Sequence, residues 1–246
     1  MLQVYTLEII VSDPHRPGKL DISGFVAIRD FRDVQRNYIF NRGMSDTFIT
    51  ISDNGVLLLP MLRPRRAISS TILLEFDLKM NRTGDCVDSY QPLIQGVSEH
   101  PSGGPDWSRV NKLSIRCDGD RSIPMMHVKL AVIMDGVEAT VELRALKLPS
   151  QGIDLRCAAR IGWVGDDIAL FDGRYGGNYP PLRFVVATEL HGNMEIHLEG
   201  IFDGVSKRWS VGFVPKFHAL FSEVVDLSFA QISLSVAWSE ESNFPT

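Results

Sequence analysis

Residues 73–80, LLEFDLKM, decide the fold class, because apolar and charged side chains alternate strictly from Leu74 to Lys79. Successive side chains of a β-strand point to opposite faces of a sheet, so this pattern predicts a strand with one buried and one solvated face. An amphipathic helix would instead place apolar residues three or four positions apart.

The same alternation recurs along the chain, at 140–144 (TVELR), 194–199 (MEIHLE) and 231–236 (QISLSV). Turn-forming residues separate such runs, since 20 Gly and 13 Pro are spread throughout the sequence. Long helical periodicity is absent. The sequence therefore predicts an all-β protein with an antiparallel, sandwich-like fold.

Three segments of the first half are echoed in the second half, in the same order. Residues 4–12 and 24–30 are echoed by 128–145, residues 38–42 (YIFNR) by 169–174 (ALFDGR), and residues 73–80 by 193–200 (NMEIHLEG). The shared order predicts two similar β halves. We expect either a single all-β domain over 1–246 or two tightly packed pseudo-repeats, about 1–123 and 124–246.

The overall composition excludes several classes of protein. The 246 residues carry a net charge of −5, and a general nucleic-acid-binding protein usually has the opposite balance, so nucleic acid is an unlikely partner. An apolar run of 18 residues is lacking, which argues against a membrane span. The first residues, MLQVYTLEIIVS, do not have the pattern of a signal peptide, so we expect a cytoplasmic or nuclear protein.

Residues 24–42, GFVAIRDFRDVQRNYIFNR, begin as a strand and continue into a dense group of charges. Because YIFNR has an echo in the second half, we interpret the segment as scaffold rather than as a unique active site. We expect Phe40 to be buried and Arg42 to bond loop carbonyls or carboxylates. The residues of this structural motif are Arg29, Asp30, Arg36, Asn37, Phe40 and Arg42.

Sequence motifs for catalysis and for metal binding are missing. The six histidines do not have zinc-site spacing, and the three cysteines (Cys86, Cys117 and Cys157) form no C-x-x-C pair. The row Glu195, His197 and Glu199 would lie on one strand face, where a solvated surface is a better interpretation than a weak metal site. P-loops, G-x-G-x-x-G motifs and nucleophile elbows are also lacking. We therefore predict no metal, no cofactor and no enzymatic activity.

Aromatic residues are the remaining candidates for ligand contacts. Trp107, Trp163 and Trp209 could stack on a sugar, a base or a nucleotide cap, although any one tryptophan is more often a core residue. Residues 174–181, RYGGNYPP, form a predicted exposed loop that contains Tyr175 and Tyr179.

Four segments, 24–42, 65–79 (RRAISSTILLEFDLK), 128–146 (VKLAVIMDGVEATVELRAL) and 223–238 (EVVDLSFAQISLSVAW), together resemble a known family. It is a grass-restricted domain of unknown function, found alone or behind the ribosome-inactivating domain of jasmonate-induced cereal proteins. The resemblance implies an all-β accessory domain in stress or defence, with no catalytic residues to carry over.

The chemistry of a ribosomal-RNA N-glycosidase is not expected in this chain. Those enzymes use a helical Glu-x-x-Arg pair, whereas CAARIGW (157–163) has Cys157 three residues before Arg160. We therefore predict a non-enzymatic interaction module that acts through a protein partner. The alternative is a glycan- or cap-binding module that uses exposed tryptophans.

Overall fold

The computed structural model describes residues 1–10, 19–30, 33–43, 49–50, 56–62, 68, 71–82, 90–100, 110–116, 125–162, 165–177 and 179–239. Its regular structure in these ranges consists entirely of β-strands, which confirms the all-β prediction. Within the same ranges, no helix is long and apolar enough to span a membrane.

The chain divides into two compact units. The first, here called the N-terminal unit, contains Leu2–Pro64 and Ile68–Val132, and the C-terminal unit contains Met1 and the chain from Ile133 onward. The strands of the N-terminal unit are β1 (Leu2–Ile10), β2 (Lys19–Asp30), β3 (Asp33–Arg42), β4 (Ile49–Thr50), β5 (Val56–Leu58), β6 (Ile72–Arg82), β7 (Gln91–His100), β8 (Asn111–Arg116) and β9 (Met125–Val132). Those of the C-terminal unit are β10 (Gly136–Lys147), β11 (Ile153–Ile161), β12 (Asp167–Tyr175), β13 (Leu182–Glu189), β14 (Met194–Phe202), β15 (Val205–Phe213), β16 (Leu220–Asp226) and β17 (Gln231–Ser239).

Each unit contains two antiparallel sheets, and the strand orders correspond. The N-terminal unit has the orders β5-β1-β9-β8 and β3-β2-β6-β7, with β4 paired to β2 in addition. The C-terminal unit has the orders β13-β10-β17-β16 and β12-β11-β14-β15. With β4 set aside, the eight strands of one unit match the eight of the other in chain order and in sheet position. The boundary between the units follows β9 at Val132, so β9 pairs with β1 inside the N-terminal unit.

The core of the N-terminal unit is built from the inward faces of both its sheets. Alternate residues of each strand enter one continuous apolar cluster, as period-two patterning requires. Gly24, in the middle of β2, has a φ of +111°, and a Cβ there would clash with the carbonyl oxygen of Asp77, so only glycine fits. Members of the cluster include Leu7, Val26, Ile28, Phe40, Leu74, Leu78, Val128 and Leu130.

The C-terminal unit buries a corresponding set of apolar side chains. Its two sheets are joined by Tyr175 of β12, whose hydroxyl accepts a hydrogen bond from the backbone N–H of Ala145 (3.0 Å) and donates one to the carbonyl of Leu143 (3.3 Å). Cys157 is also buried in this unit. Buried members from the two sheets include Val141, Leu143, Leu155, Ala159, Ile196, Leu198, Leu234 and Val236.

Candidate functional site

A concave surface lies on the outer face of the β12-β11-β14-β15 sheet, entirely within the C-terminal unit. Its volume is about 590 Å³, and all four strands contribute lining residues. On β11 the buried residues alternate with exposed Asp154, Arg156 and Arg160. Because successive side chains of a strand point to opposite faces, these three charged side chains point away from the core.

The strand register arranges this surface in three rows that cross all four strands. Directly paired residues in antiparallel strands point to the same face, so each row is a line of neighbouring side chains. The floor consists of Ala169, Ala158, His197 and Ser210; one wall consists of Asp172, Arg156, Glu199 and Arg208; and the other consists of Asp167, Arg160, Glu195 and Gly212. We call these twelve residues the arginine–carboxylate face.

The size of the groove follows from the strand geometry. Arg156 and Arg160 stand four residues apart on β11, which places the two walls about 13 Å apart. Three of the four floor residues are Ala or Ser, and their short side chains leave the space between the walls open. A segment of polypeptide or a small polar molecule would fit between the walls.

Glu199 is the centre of the first wall. Its carboxylate accepts hydrogen bonds from Arg208 (2.9 Å) and Ser206 (2.9 Å), and Arg156 approaches it at 3.3 Å. Arg156 also reaches Asp172 at 3.4 Å, so the wall is a chain of alternating charges. The hydrogen bond from Arg208, followed by that from Ser206, lowers the pKa of Glu199, and the hydrogen bond to Glu199 raises the pKa of Arg156. Both shifts favour the charged forms of Glu199 and Arg156.

The second wall contains a closer ion pair. Arg160 Nε lies 2.7 Å from Asp167, and this hydrogen bond raises the pKa of the Arg160 guanidinium. Glu195 lies on the neighbouring strand, with its carboxylate 3.5 Å from His197 Nε2. The walls therefore offer both cationic donors and anionic acceptors to a ligand.

His197 gives the floor an unused polar atom. Its Nε2 is inaccessible to solvent and has no hydrogen-bond partner, and the carboxylate of Glu195 lies 3.5 Å away as an ion-pair contact for a protonated imidazole. Buried polar atoms are nearly always paired, so an unpaired imidazole nitrogen beneath a groove is a position that a bound group can satisfy. Within the described ranges, no group of three His, Cys, Asp or Glu side chains could hold a metal ion.

Of the aromatic residues proposed from the sequence, Trp209, Tyr175 and Tyr179 lie in the described ranges. Trp107 and Trp163 lie outside the described residues. Trp209 is half-buried, pairs with buried Leu198 and is among the residues that line the groove. Tyr175 is fully buried and is a core residue rather than a ligand contact, and burial raises the pKa of its hydroxyl. Tyr179 remains 53% exposed.

The motif in residues 24–42 forms its own network in the N-terminal unit. Arg29 and Arg36 each place Nε 2.6 Å from the carboxylate of Glu75, and Arg36 stacks 4.5 Å above the ring of Phe25. The hydrogen bond to Glu75 raises the pKa of Arg36. The scaffold residues Asp30, Asn37 and Phe40 are buried.

Arg42, the last residue of that motif, is half-buried at the end of β3. Its charge acts on Tyr90, whose hydroxyl donates a hydrogen bond to Asp21. That bond and burial raise the pKa of Tyr90 to about 12, against the smaller effect of Arg42. Its echo in the second half, Arg174, donates a hydrogen bond from Nε to the carbonyl of Gln151 at 3.0 Å.

Sequence reasoning did not identify the arginines of the groove. Residues 157–161 of CAARIGW, which include Arg160, belong to strand β11 rather than to a helix. The available signal was the alternation in DLRCAAR (154–160), which predicts that Arg156 and Arg160 share a face. The acidic partners on β12 and β14 are set by pairing across the sheet, which no local pattern shows.

Comparisons with known proteins give one full-length match. A family described as "Domain of unknown function (DUF6598)" matches residues 1–236. No curated protein matches the chain.

The similar solved structures are distant. Human GIVD cytosolic phospholipase A2 is 8% identical with a TM-score of 0.28; the match covers 99% of this chain but 31% of that one, so this chain spans about a third of the phospholipase. The pair of C2 domains of extended-synaptotagmin 2 is 11% identical with a TM-score of 0.30, covering 98% of this chain and 92% of that one. Neither value establishes a common fold.

Proposed function

The chain belongs to the DUF6598 family of unknown function, and from this premise we propose that it is a non-enzymatic interaction module that binds another protein through the arginine–carboxylate face. The observation that carries the proposal is the groove itself. Ion pairs hold the charged walls in place, and the floor contains a His197 nitrogen that is inaccessible to solvent, makes no hydrogen bond and lies 3.5 Å from the carboxylate of Glu195.

The charge pattern favours a protein over a nucleic acid. Three arginines alternate with four carboxylates in the two walls, so a phosphate backbone would meet as many repulsive as attractive groups. A protein surface can present both signs at the required spacing, and such complementarity sets the specificity and the association rate of an interface. The partner should therefore carry mixed charges on a ridge or helix that fits between walls about 13 Å apart.

The arrangement of side chains also favours binding over catalysis. A nucleophile activated by histidine needs a hydrogen bond to an imidazole nitrogen, and Nε2 of His197 has none. The carboxylates of the face are ion-paired, and arginine partners hold the pKa of Glu199 low rather than near neutrality, where a general base works.

We further propose that the protein consists of two similar β-sandwich units and acts in plant stress or defence. The matching strand orders of the two units support their similarity. The sequence resemblance to the domain attached to cereal ribosome-inactivating proteins supports a role in stress or defence.

The test compares three forms of the full chain in quantitative affinity capture from stressed cereal leaf extract. The double variant Arg156→Glu, Arg208→Glu reverses the first wall, while Arg174→Glu reverses an exposed arginine of the same sheet that bonds Gln151 and Asp154 outside the groove. A partner retained by the wild type and by Arg174→Glu, and lost by the folded double variant, supports the proposal. Equal retention by all three forms would refute it.

A second candidate is a glycan- or cap-binding module, favoured by one observation. The exposed Tyr179 ring stands 6.2 Å from the ring of Tyr175, in the loop after β12, where a flat ligand could stack on its free side. Isothermal titration with cap analogue and a glycan panel, for wild type and Tyr179→Ala, tests this. The candidate fails if no ligand releases heat that Tyr179→Ala abolishes.

A further inference from the structure

Exposed apolar side chains are concentrated in one segment of the C-terminal unit, residues 214–224. Leu220 is 74% exposed and Val224 is 54% exposed, although both belong to strand β16. Val214, Phe217 and Phe221 add exposed apolar surface within the same eleven residues. Scattered exposed apolar residues are normal, but a contiguous group on a sheet marks a surface that another chain covers.

Strand β16 is the last strand of the β13-β10-β17-β16 sheet, so one side of its backbone has no strand beside it in the described part of the unit. The hydrogen bonds with β17 show which residues face outward. Ala219 accepts from Trp238 N–H (2.7 Å) and Leu227 N–H donates to Ala230 (2.9 Å). Antiparallel pairs alternate between bonded and non-bonded, so odd-numbered residues bond β17. The N–H and C=O groups of Leu220, Ser222 and Val224 therefore point to the open edge.

We propose that β16 is a dimerisation edge, which pairs antiparallel with β16 of a second copy of this chain about a two-fold axis at Ser222. In this register Leu220 of each copy faces Val224 of the other, and Ser222 faces Ser222. Leu220, Ser222 and Val224 of each copy then form hydrogen-bonded pairs. These pairs give six backbone hydrogen bonds and join two four-stranded sheets into one.

The charges of the strand select this register over its neighbours. Centred on Ser222, the strands place Glu223 against Phe221, and Asp226 falls opposite His218. Centring on Glu223 would set two carboxylates directly opposite each other and Leu220 against Asp226, which is destabilising. Centring on Phe221 would leave Val224 opposite His218, which lies outside the strand. A second copy in this register therefore pairs the outward backbone groups, covers Leu220 and Val224, and keeps the carboxylates of the two strands apart.

Edge strand β15 of the same unit provides a contrast. Strand β15 also ends its sheet, but it carries exposed Lys207 and Arg208, and lysine or arginine on an edge discourages strand addition. Within β16 there is no lysine, arginine or proline. The difference points to β16 as the edge that receives a partner.

Sedimentation equilibrium of the full chain tests the proposal. We expect a reversible dimer in the wild type. Ser222→Pro removes an outward N–H that the single chain does not use, and proline is tolerated on edge strands. Val224→Lys introduces a charge at the same interface. Each should weaken dimerisation at least tenfold, whereas Val205→Lys, which alters a 50% exposed apolar residue of edge strand β15, should not.

Amide hydrogen exchange reports the register directly. Exchange at Leu220, Ser222 and Val224 should slow as protein concentration rises, while Phe221 and Glu223 are protected by β17 at every concentration. The proposal is overturned if the wild type stays monomeric, if its dimer is unaffected by folded Ser222→Pro and Val224→Lys, or if β16 pairs only with an added peptide. If Ser222→Pro fails to fold, Val224→Lys and the exchange pattern decide.

Discussion

Phe40 lies on β3 with its ring fully enclosed by the apolar cluster of the N-terminal unit. Truncating a buried phenylalanine removes transfer free energy and leaves a cavity, so we expect Phe40→Ala to lower the free energy of unfolding by roughly 3–5 kcal/mol. Removing the half-buried Arg42 should cost less, about 1–3 kcal/mol, because only its polar partners are left unpaired. Chemical denaturation of both variants measures these losses.

The same two variants separate scaffold from function. If residues 24–42 are scaffold, the folded Phe40→Ala and Arg42→Ala proteins should keep the partner affinity of the wild type. Loss of binding in Arg42→Ala at unchanged stability would show that the segment is a binding site instead.

Glu199 provides a prediction on pH. Its pKa lies below the ordinary value of 4.5, chiefly because Arg208 donates a hydrogen bond to its carboxylate. A carboxyl with a depressed folded pKa stabilises the fold above its unfolded pKa, and this contribution is lost as pH falls through the folded pKa. Arg208→Ala should therefore raise the pKa of Glu199 toward 4.5, as followed by the NMR shift of its side-chain carboxyl carbon.

Arg174→Ala is the matched control for that titration, because Arg174 bonds Gln151 and Asp154 and makes no contact with Glu199. The pKa of Glu199 should be the same in this variant as in the wild type. An unchanged pKa in Arg208→Ala would mean that the wall is not held by the Arg208 bond.

At the scale of elements, the Tyr175 hydroxyl joins β12 to β10 and so connects the two sheets of the C-terminal unit. Tyr175→Phe keeps the ring and its packing but leaves the Ala145 N–H and the Leu143 carbonyl without this partner. We expect a loss of about 1–3 kcal/mol in the free energy of unfolding of this unit, measured by urea denaturation. Tyr179→Phe, which alters an exposed hydroxyl, should have little effect.

The strands could be predicted from sequence where one face is buried and the other is wet. The alternation at 73–80 lies in β6 and that at 194–199 lies in β14, and these strands occupy matching places in the two units. Likewise, YIFNR lies in β3 and its echo ALFDGR lies in β12, and these two strands occupy matching places in their units. Local patterning succeeds here because burial of alternate residues is a property of a single strand.

The candidate site could not be predicted in the same way. Arg156, Glu199 and Arg208 come together only because β11 pairs with β14 and β14 with β15 in one register. A shift of one residue would turn the side chain of Arg208 to the other face of the sheet. The position of Arg208 thus depends on long-range pairing, which sequence periodicity does not contain.

For the whole molecule, each unit has two sheets and a buried interior of its own. We therefore expect differential scanning calorimetry to show two unfolding transitions. Phe40→Ala should lower the midpoint of only one transition, and Leu198→Ala, a buried residue of the C-terminal unit, should lower only the other. A single transition displaced by either substitution would show that the units unfold together.

The strand order places the beginning and the end of each unit side by side. Leu2 pairs with Val132 through β1 and β9, and Glu138 pairs with Ser239 through β10 and β17. A unit that starts and finishes at neighbouring points can be spliced into a loop of a host protein, or fused behind one, without stretching either chain. Both units of this chain have this arrangement of ends, so each is a suitable point for insertion or fusion experiments.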